Sequence, residues 1–429
     1  MTSAPAVAAV RLNGRHWFVF AVCAIGFFFD SMDLQIMSLV APQLLRDWTL
    51  SPQQIGLITS SGMVGMLIGS VLFGVFSDRI GRRPGFQLTV AVFACFSVLG
   101  ALAQDPAQLM VCRVLAGLGI GGFVPIDTAL LTEFVPARWR GRLIALWAIA
   151  FPAGGLAAAG LVPLVLPAFG WRGAFLLGFA PVLLIPVVRR WLPETPRFLL
   201  SAGKVEQARR SVDWISAGAE VVVEEDDAPA PSPAAGLFAP AQRRGTLLAS
   251  LLWFGWSFAY FGVILWLPTL LVLMRVPLAE VFLYTLGFQL AAIAGRVVTL
   301  LFADRVSRPA LIVVTGLCAA AAMLVFGAQH AMVWLVITGY TLSFFQDGGF
   351  SGIVPYTPEL FPTRLRATGV GAANGAGRLA SMIAPLVIGM LVQAGSTYPV
   401  FIVFAGCYLG AVAVIVLLGN GTRTHLSRT

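Results

Sequence analysis

The sequence predicts an all-α membrane protein of twelve transmembrane helices in two pseudo-symmetric six-helix bundles, and three observations carry that reading. Hydrophobic residues make up 58% of the 429 positions and charged residues only 11%, far below the roughly 25% charged of a soluble domain. The apolar residues fall in blocks of roughly 20, enough at ~1.5 Å per residue to cross a hydrocarbon layer of about 30 Å. A pair of charged motifs recurs at one fixed spacing, the sign of a duplicated half.

The blocks begin near Trp17, Gln54, Phe86, Ala107, Leu143, Trp171, Thr246, Glu280, Pro309, Met332, Thr368 and Thr397, and are called spans 1 to 12 below. An even number of crossings leaves both termini on one side. Of the 28 basic residues, Arg46, Arg172 and Arg275 fall on the opposite side, Arg113, Arg296 and Arg378 lie inside spans, and the rest share the side of the termini. The positive-inside rule makes that side cytoplasmic, in a cell inner membrane. The net charge of +9 is thus a topology signal, and no nucleic acid is expected as a partner. Cys23, Cys95, Cys112, Cys318 and Cys407 all sit within apolar blocks, which favours packing over a disulfide framework. No metal-ligand spacing, phosphate loop or catalytic nucleophile is recognisable, so neither a cofactor nor an enzymatic activity is expected. Arg11, Arg15 and His16 before an apolar run imitate a signal peptide, but no small-residue cleavage site follows, and Asp30 and Asp33 interrupt the run. The run reads as a retained span 1.

The repeat is concrete. Glu133-Phe-Val-Pro-Ala-Arg-Trp-Arg140 returns as Glu359-Leu-Phe-Pro-Thr-Arg-Leu-Arg366, and Asp78-Arg79 with Arg82 returns as Asp304-Arg305 with Arg308, all at an offset of 226 residues. The expected organisation is an N-terminal bundle over 1–192, a cytoplasmic linker over 193–245 and a C-terminal bundle over 246–429. The first part of the linker has the composition of short surface helices. Glu224-Glu-Asp-Asp227, followed by APAPSPAAG, reads as a flexible acidic and proline-rich connector.

Four motifs in order, GVFSDRIGRR after span 2, RVLAGLG in span 4, PETPRF after span 6 and PELFPTRLRATG after span 10, resemble the major facilitator superfamily over essentially the whole chain. The resemblance implies alternating access by a monomer, with a solute site near the bilayer midplane lined by spans 1, 4, 7 and 10 and helped by 5, 8 and 11. It also implies a cytoplasmic gate formed by Asp78, Arg79, Arg82, Glu133, Arg138 and Arg140 in the first half and by Asp304, Arg305, Glu359, Arg364 and Arg366 in the second. Arginines that only set topology are the simpler reading of the same residues. The second copy has Ser307 in place of Gly81 and Pro309 in place of Arg83, which predicts a weaker turn.

An ionisable side chain inside a span costs on the order of 2.5–3.5 kcal/mol on insertion scales, so each needs a partner or a cavity. Those present are Asp30 and Asp33 in span 1, Arg113 and Asp127 in span 4, Arg296 in span 8, Asp347 in span 10 and Arg378 in span 11. Asp30 and Asp33 are three apart and share a helix face. Helix rise puts Asp33 about 12 Å and Arg113 about 9 Å below the same outer surface, within reach of a pair. Asp30, Asp33, Arg113 and Asp347 are the candidate proton-coupling residues. In proton-coupled relatives, the sugar porters above all, a span 1 aspartate works with the span 4 arginine of RxxxGxG, which matches Asp33 or Asp30 with Arg113; a static ion pair is the alternative. Asp127 lies about 9 Å from the cytoplasmic end of span 4 and reads as a gate or packing residue.

In the second half Asp347, Arg378 and Arg296 fall at about 18, 15 and 12 Å from the cytoplasmic ends of their spans. Two arginines to one aspartate leave a positive excess, and a guanidinium fork matches a carboxylate. The run ANGAGRLASMIAP resembles span 11 of aromatic acid:proton symporters and organic anion transporters, where an arginine at the position of Arg378 favours anions. The candidate substrate contacts are Arg378 and Arg296, Trp256 and Tyr260 as a stacking pair on aromatic span 7, and Gln289, Gln346, Asn374 and Tyr356 as polar contacts.

The function expected is proton-coupled import of a small organic acid, aromatic or heteroaromatic. DSMDLQIMSLVAP resembles the DGxD segment of aromatic acid symporters, with Ser31 in place of glycine. A sugar symporter is the first alternative, weakened by the missing QQxxGxN run in span 7 and by Tyr356 where sugar porters carry tryptophan. A drug or organic-cation antiporter is the second, weakened because AFPAGGLAAAG lacks the GxxxGPxxGG spacing.

Overall fold

The computed structural model describes residues 6–8, 12–217, 222–224, 234–240, 242–302, 305–329, 331–362 and 364–419. Nearly all of them are helical. Span 1 is α1 (Gly14–Asp47), span 2 α2 (Pro52–Ile80) and span 3 α3 (Arg82–Ala101). Span 4 is α4 (Pro106–Gly121) continued by α5 (Phe123–Phe134) across Gly122. Spans 5 and 6 form one apolar stretch, Arg138–Trp191, through α6 (Ala137–Ala148), α7 (Ala150–Leu176) and, after a 3₁₀ segment (Leu177–Leu183), α8 (Leu184–Trp191). Gly170 divides that stretch. Its φ of 61° and ψ of −166° leave the helical region, a conformation that only glycine adopts without strain.

Spans 7 to 12 are α11 (Arg243–Leu273), α12 (Leu278–Phe302), α13 (Arg308–Ala328), α14 (Met332–Tyr356), α15 (Arg366–Gln393) and α16 (Tyr398–Gly419), which completes twelve crossings. Span 1, at 34 residues, is about 50 Å long, so it tilts or projects beyond the hydrocarbon. Pro42, Pro268, Pro355 and Pro385 lie inside spans 1, 7, 10 and 11, a placement that a membrane bundle tolerates because neighbouring helices re-satisfy the freed carbonyls.

The chain forms two compact units. The first holds Met1–Ile36, Ser61–Ala158 and Leu164–Asp227, and the second holds Met37–Ser60, Ala159–Pro163 and Ala228–Thr429. The ends of spans 1 and 2 that flank the 48–51 loop therefore belong to the second unit; there Ser38 Oγ donates to the Ile264 carbonyl at 2.7 Å. In that unit span 7 packs on spans 11 and 12, span 9 on 10 and 12, and span 8 on 10.

In the first unit spans 2 and 4 meet through glycines. A Cβ on Gly65 would stand 2.0 Å from the Val114 carbonyl oxygen, and one on Gly117 2.2 Å from that of Gly62. Hydrocarbon offers no hydrophobic drive between helices, so close backbone approach of this kind is what holds them.

Two short helices, α9 (Pro196–Ser201) and α10 (Val205–Ser216), follow span 6 within the first unit. The amide of Asn13 donates to the Ile215 carbonyl at 2.7 Å, tying α10 to the start of span 1. Glu224 closes a three-residue strand, Val222–Glu224, that pairs antiparallel with Ala6–Ala8. The rest of the acidic connector lies outside the described residues.

Candidate functional site

In the first unit Arg113 grips Asp33 with both arms of its guanidinium, Nη1 to Oδ1 at 2.8 Å and Nη2 to Oδ2 at 2.5 Å. The two side chains are 5% and 2% exposed, and the Phe175 ring lies 5.6 Å from the guanidinium carbon. The local sequence explains the position. In the RxxxGxG run Gly117 brings span 4 against span 2 and Gly119 brings it against span 3, and Arg113 at its start reaches Asp33 on span 1. A bidentate, charge-assisted pair in a dry interior is strong as long as both partners stay, and removing one leaves an uncompensated charge.

Asp30, one helical turn along span 1, is also buried, and so is Asp127 in span 4. Neither oxygen of Asp127 accepts a hydrogen bond. Its carboxylate faces Gly26 of span 1, where a Cβ would stand 3.3 Å from Oδ2.

In the second unit Asp347 is the hub of a closed triangle. Its Oδ1 accepts from Arg296 Nε at 2.8 Å and from the Tyr260 hydroxyl at 3.0 Å, and Arg296 Nη2 donates to the same hydroxyl oxygen at 3.0 Å. Beside it Tyr408 donates its hydroxyl to Gln346 Oε1 at 2.8 Å, and Trp256 Nε1 donates to the Gln346 carbonyl at 3.2 Å. Trp256 is fully buried, set edge-on to Tyr408 and against Gly349, where a Cβ would stand 2.2 Å from the indole. Tyr260 packs on Phe350 with centroids 5.0 Å apart. Both aromatic side chains read as a stacking pair are thus engaged by protein neighbours. Gln289 and Tyr356 are buried, Arg378 is half-buried on span 11 with its carbonyl accepting from Ser381 Oγ at 2.8 Å, and Asn374 is exposed.

The loop motifs close within their own units. Arg82 forms ion pairs with Asp78 and with Glu133, the latter at 3.6 Å, and donates to Ser77 Oγ at 2.7 Å. Arg140 Nε donates to the Val135 carbonyl at 2.9 Å, while Arg79 and Arg138 are exposed. In the second copy Arg308 pairs with Glu359 and donates to the Pro355 carbonyl at 2.7 Å. Arg305, Arg364 and Arg366 are exposed, and Asp304 lies outside the described residues.

The residue that sequence reasoning passed over here is Glu194. It accepts from the backbone amides of Arg82 at 2.9 Å and of Arg83 at 3.2 Å, filling the N-terminus of span 3, where an anion meets free N–H groups. Its burial lifts the carboxyl above the ordinary glutamate range, the amides of Thr195, Arg83 and Arg82 pull it back, and Glu133 adds a smaller upward push. The signal was present in the glutamate of PETPRF. Gly81 makes room for it, with φ at 106° and a hypothetical Cβ only 2.2 Å from Oε2. Ser307, at the equivalent turn, has an ordinary extended backbone and makes no side-chain cap.

Three likenesses to known proteins fit this geometry. The chain is 33% identical over 418 residues to the niacin transporter NiaP of Acinetobacter baylyi, covering 95% of this chain and 94% of that one. It is 29% identical over 415 residues to the gallate transporter of Pseudomonas putida, covering 95% and 92%. Among solved structures, the partially occluded inward-open xylose transporter XylE from E. coli superposes with a TM-score of 0.78 at 18% identity, covering 94% and 98%, a likeness of fold. The sequence profile of the Major Facilitator Superfamily matches residues 23–377 and 276–428. With twelve spans in place and a profile match along most of its length, the chain belongs to the Major Facilitator Superfamily of multi-pass membrane transporters.

Proposed function

We propose that this protein imports a small aromatic or heteroaromatic carboxylate together with a proton, by alternating access, as a monomer in a cell inner membrane with both termini in the cytoplasm. The observation that carries the reading is the buried Asp33–Arg113 pair. A carboxylate held by one arginine in low dielectric can take up a proton only when that arginine lets go, so proton binding and rearrangement of the spans are one event. Asp30 shares the helix face, and Asp347 is the arginine-held acid of the second half. Arg378, with Arg296 behind it, supplies the guanidinium for the solute's carboxylate. Niacin and gallate, named for the two relatives, are both ring carboxylates. Gln289, Gln346, Asn374 and Tyr356 contribute polar contacts, and Trp256 and Tyr260 shape the aromatic side. The ion pairs of Asp78, Arg82 and Glu133, and of Arg308 and Glu359, act as cytoplasmic latches.

The test is uptake of labelled nicotinate into proteoliposomes with and without an inwardly directed proton gradient. Accumulation above equilibrium should occur only with the gradient, and uptake indifferent to it removes the symport reading.

A further inference from the structure

We propose that Asp127 is a second proton-binding site of the first bundle, resting as the neutral acid and exchanging its proton with Asp30; the step builds on the symport reading above. The argument is one of placement. Cys23, Gly26, Asp30 and Asp33 fall at i, i+3, i+7 and i+10, a single face of span 1. Asp33 on that face holds Arg113. About 10 Å further along the helix axis Gly26 leaves the space that the Asp127 carboxyl fills, and Asp30 stands between. The face therefore carries a file of three carboxyls with an arginine at one end.

At the other end Asp127 has no cation beside it among the described residues. It is 0% exposed and neither oxygen is hydrogen-bonded. The Cys23 thiol and the Trp147 indole are the polar hydrogens that face its carboxyl; in the geometry shown the thiol donates to the backbone carbonyl of Asp127 at 3.7 Å and the indole to the Cys23 carbonyl at 3.1 Å. On span 3 the ring of Phe86 stands 3.3 Å from the same hypothetical Cβ. Asp30 and Cys23 are the ionisable groups facing it, and neither supplies positive charge. An ionised carboxyl in that setting costs several kcal/mol, which protonation removes.

An ionised Asp30 thus finds a proton donor further along the same face, and the vacancy then left on Asp127 is what a later proton on Asp30 refills. Each transfer breaks an O–H bond on the donor carboxyl and forms one on the acceptor. The negative charge moves the opposite way, and nothing is oxidised.

Two measurements decide it. Infrared spectra of the full-length protein in detergent at neutral pH without solute should show a protonated-carboxyl C=O band that is missing in Asp127→Asn; an unchanged band overturns the proposal. In proteoliposomes with labelled nicotinate, the ratio of gradient-driven accumulation to solute exchange should fall in Asp127→Asn and recover in Asp127→Glu. A ratio that stays at the wild-type value in Asp127→Asn overturns it, and so does accumulation driven by a sodium gradient in place of protons. Wild-type uptake indifferent to the proton gradient removes the symport reading instead, and the infrared band still decides whether Asp127 holds a proton. If the asparagine variant does not fold, the glutamate variant keeps the question open to measurement, because a longer acid should displace the carboxyl band and a silent position should not.

Discussion

Each half buries one arginine–aspartate pair, but on different spans, 1 and 4 in the first and 8 and 10 in the second, and the charges around the two pairs are balanced in opposite directions. The pairs are Arg113 with Asp33 and Arg296 with Asp347. Around the first stand two more acids, Asp30 and Asp127; to the second the chain adds another base, Arg378. Where dielectric is low an excess charge calls for a mobile counter-ion. On the symport reading proposed above, the acid-rich half serves the protons and the base-rich half the organic anion, a division of the two ligands between the halves.

The pairs also differ in how they are satisfied. Asp33 takes both of its bonds from one arginine, whereas Asp347 shares a triangle with Arg296 and Tyr260. A pair that depends on one partner is the easier to break, and a triangle is held from two sides.

The largest expected effect breaks the first pair. Arg113→Met leaves Asp33 buried without its cation and should lower stability by about 3–5 kcal/mol, read as a fall in melting temperature in detergent; adding Asp33→Asn to it should recover much of the loss. A single variant as stable as wild type would mean that the pair does not define the first half. Next, Arg378→Ala should weaken nicotinate binding by about ten- to a hundredfold, the worth of a hydrogen bond to a charged group, in a calorimetric titration. Full affinity would shift the anchor to another residue and remove the division of ligands. The smallest effect sharpens the contrast: Tyr260→Phe opens the triangle but leaves Arg296 on Asp347, and should cost about 0.5–1.5 kcal/mol of thermal stability. A loss as large as that of Arg113→Met would make the hydroxyl, not the arginine, the keystone of the second half.

Much of the fold was readable before any coordinates. Most of the starts read from apolar blocks fall within a few residues of the helix starts, as at Ala107 against Pro106 and Met332 against Met332, while Leu143 and Trp171 fall inside α6 and α7, because a span is selected one segment at a time by transfer to hydrocarbon. The break between spans 5 and 6 was readable for a related reason: the chain has to reverse there, and Phe-Gly-Trp carries the glycine that permits it. Span 10 holds Gln346 and Asp347 and is the span that apolarity marks least, yet its block still begins at Met332.

The site was legible as a set of residue types and less so as a set of partners. Helix rise brought Asp30, Asp33 and Arg113 to one level, and left open which aspartate the arginine would take. It likewise set Arg296 and Arg378 at similar depths to Asp347 without ranking them. Glu194 was visible inside a motif, yet its task of filling the end of span 3 depends on a loop reached only through the turn at Gly81.

The sequence alone therefore determined the number of crossings, the duplication and the short inventory of charges that membrane burial has to satisfy. The tertiary structure decided the pairings: Asp33 for Arg113, Asp347 and Tyr260 for Arg296, and Gly26 rather than a cation beside Asp127. The physical reason is that insertion acts on each segment's own composition, whereas a pairing depends on how each helix is rotated about its axis. That rotation is set by contacts such as those of Gly65 and Gly117 with facing carbonyls, made between residues far apart in the chain.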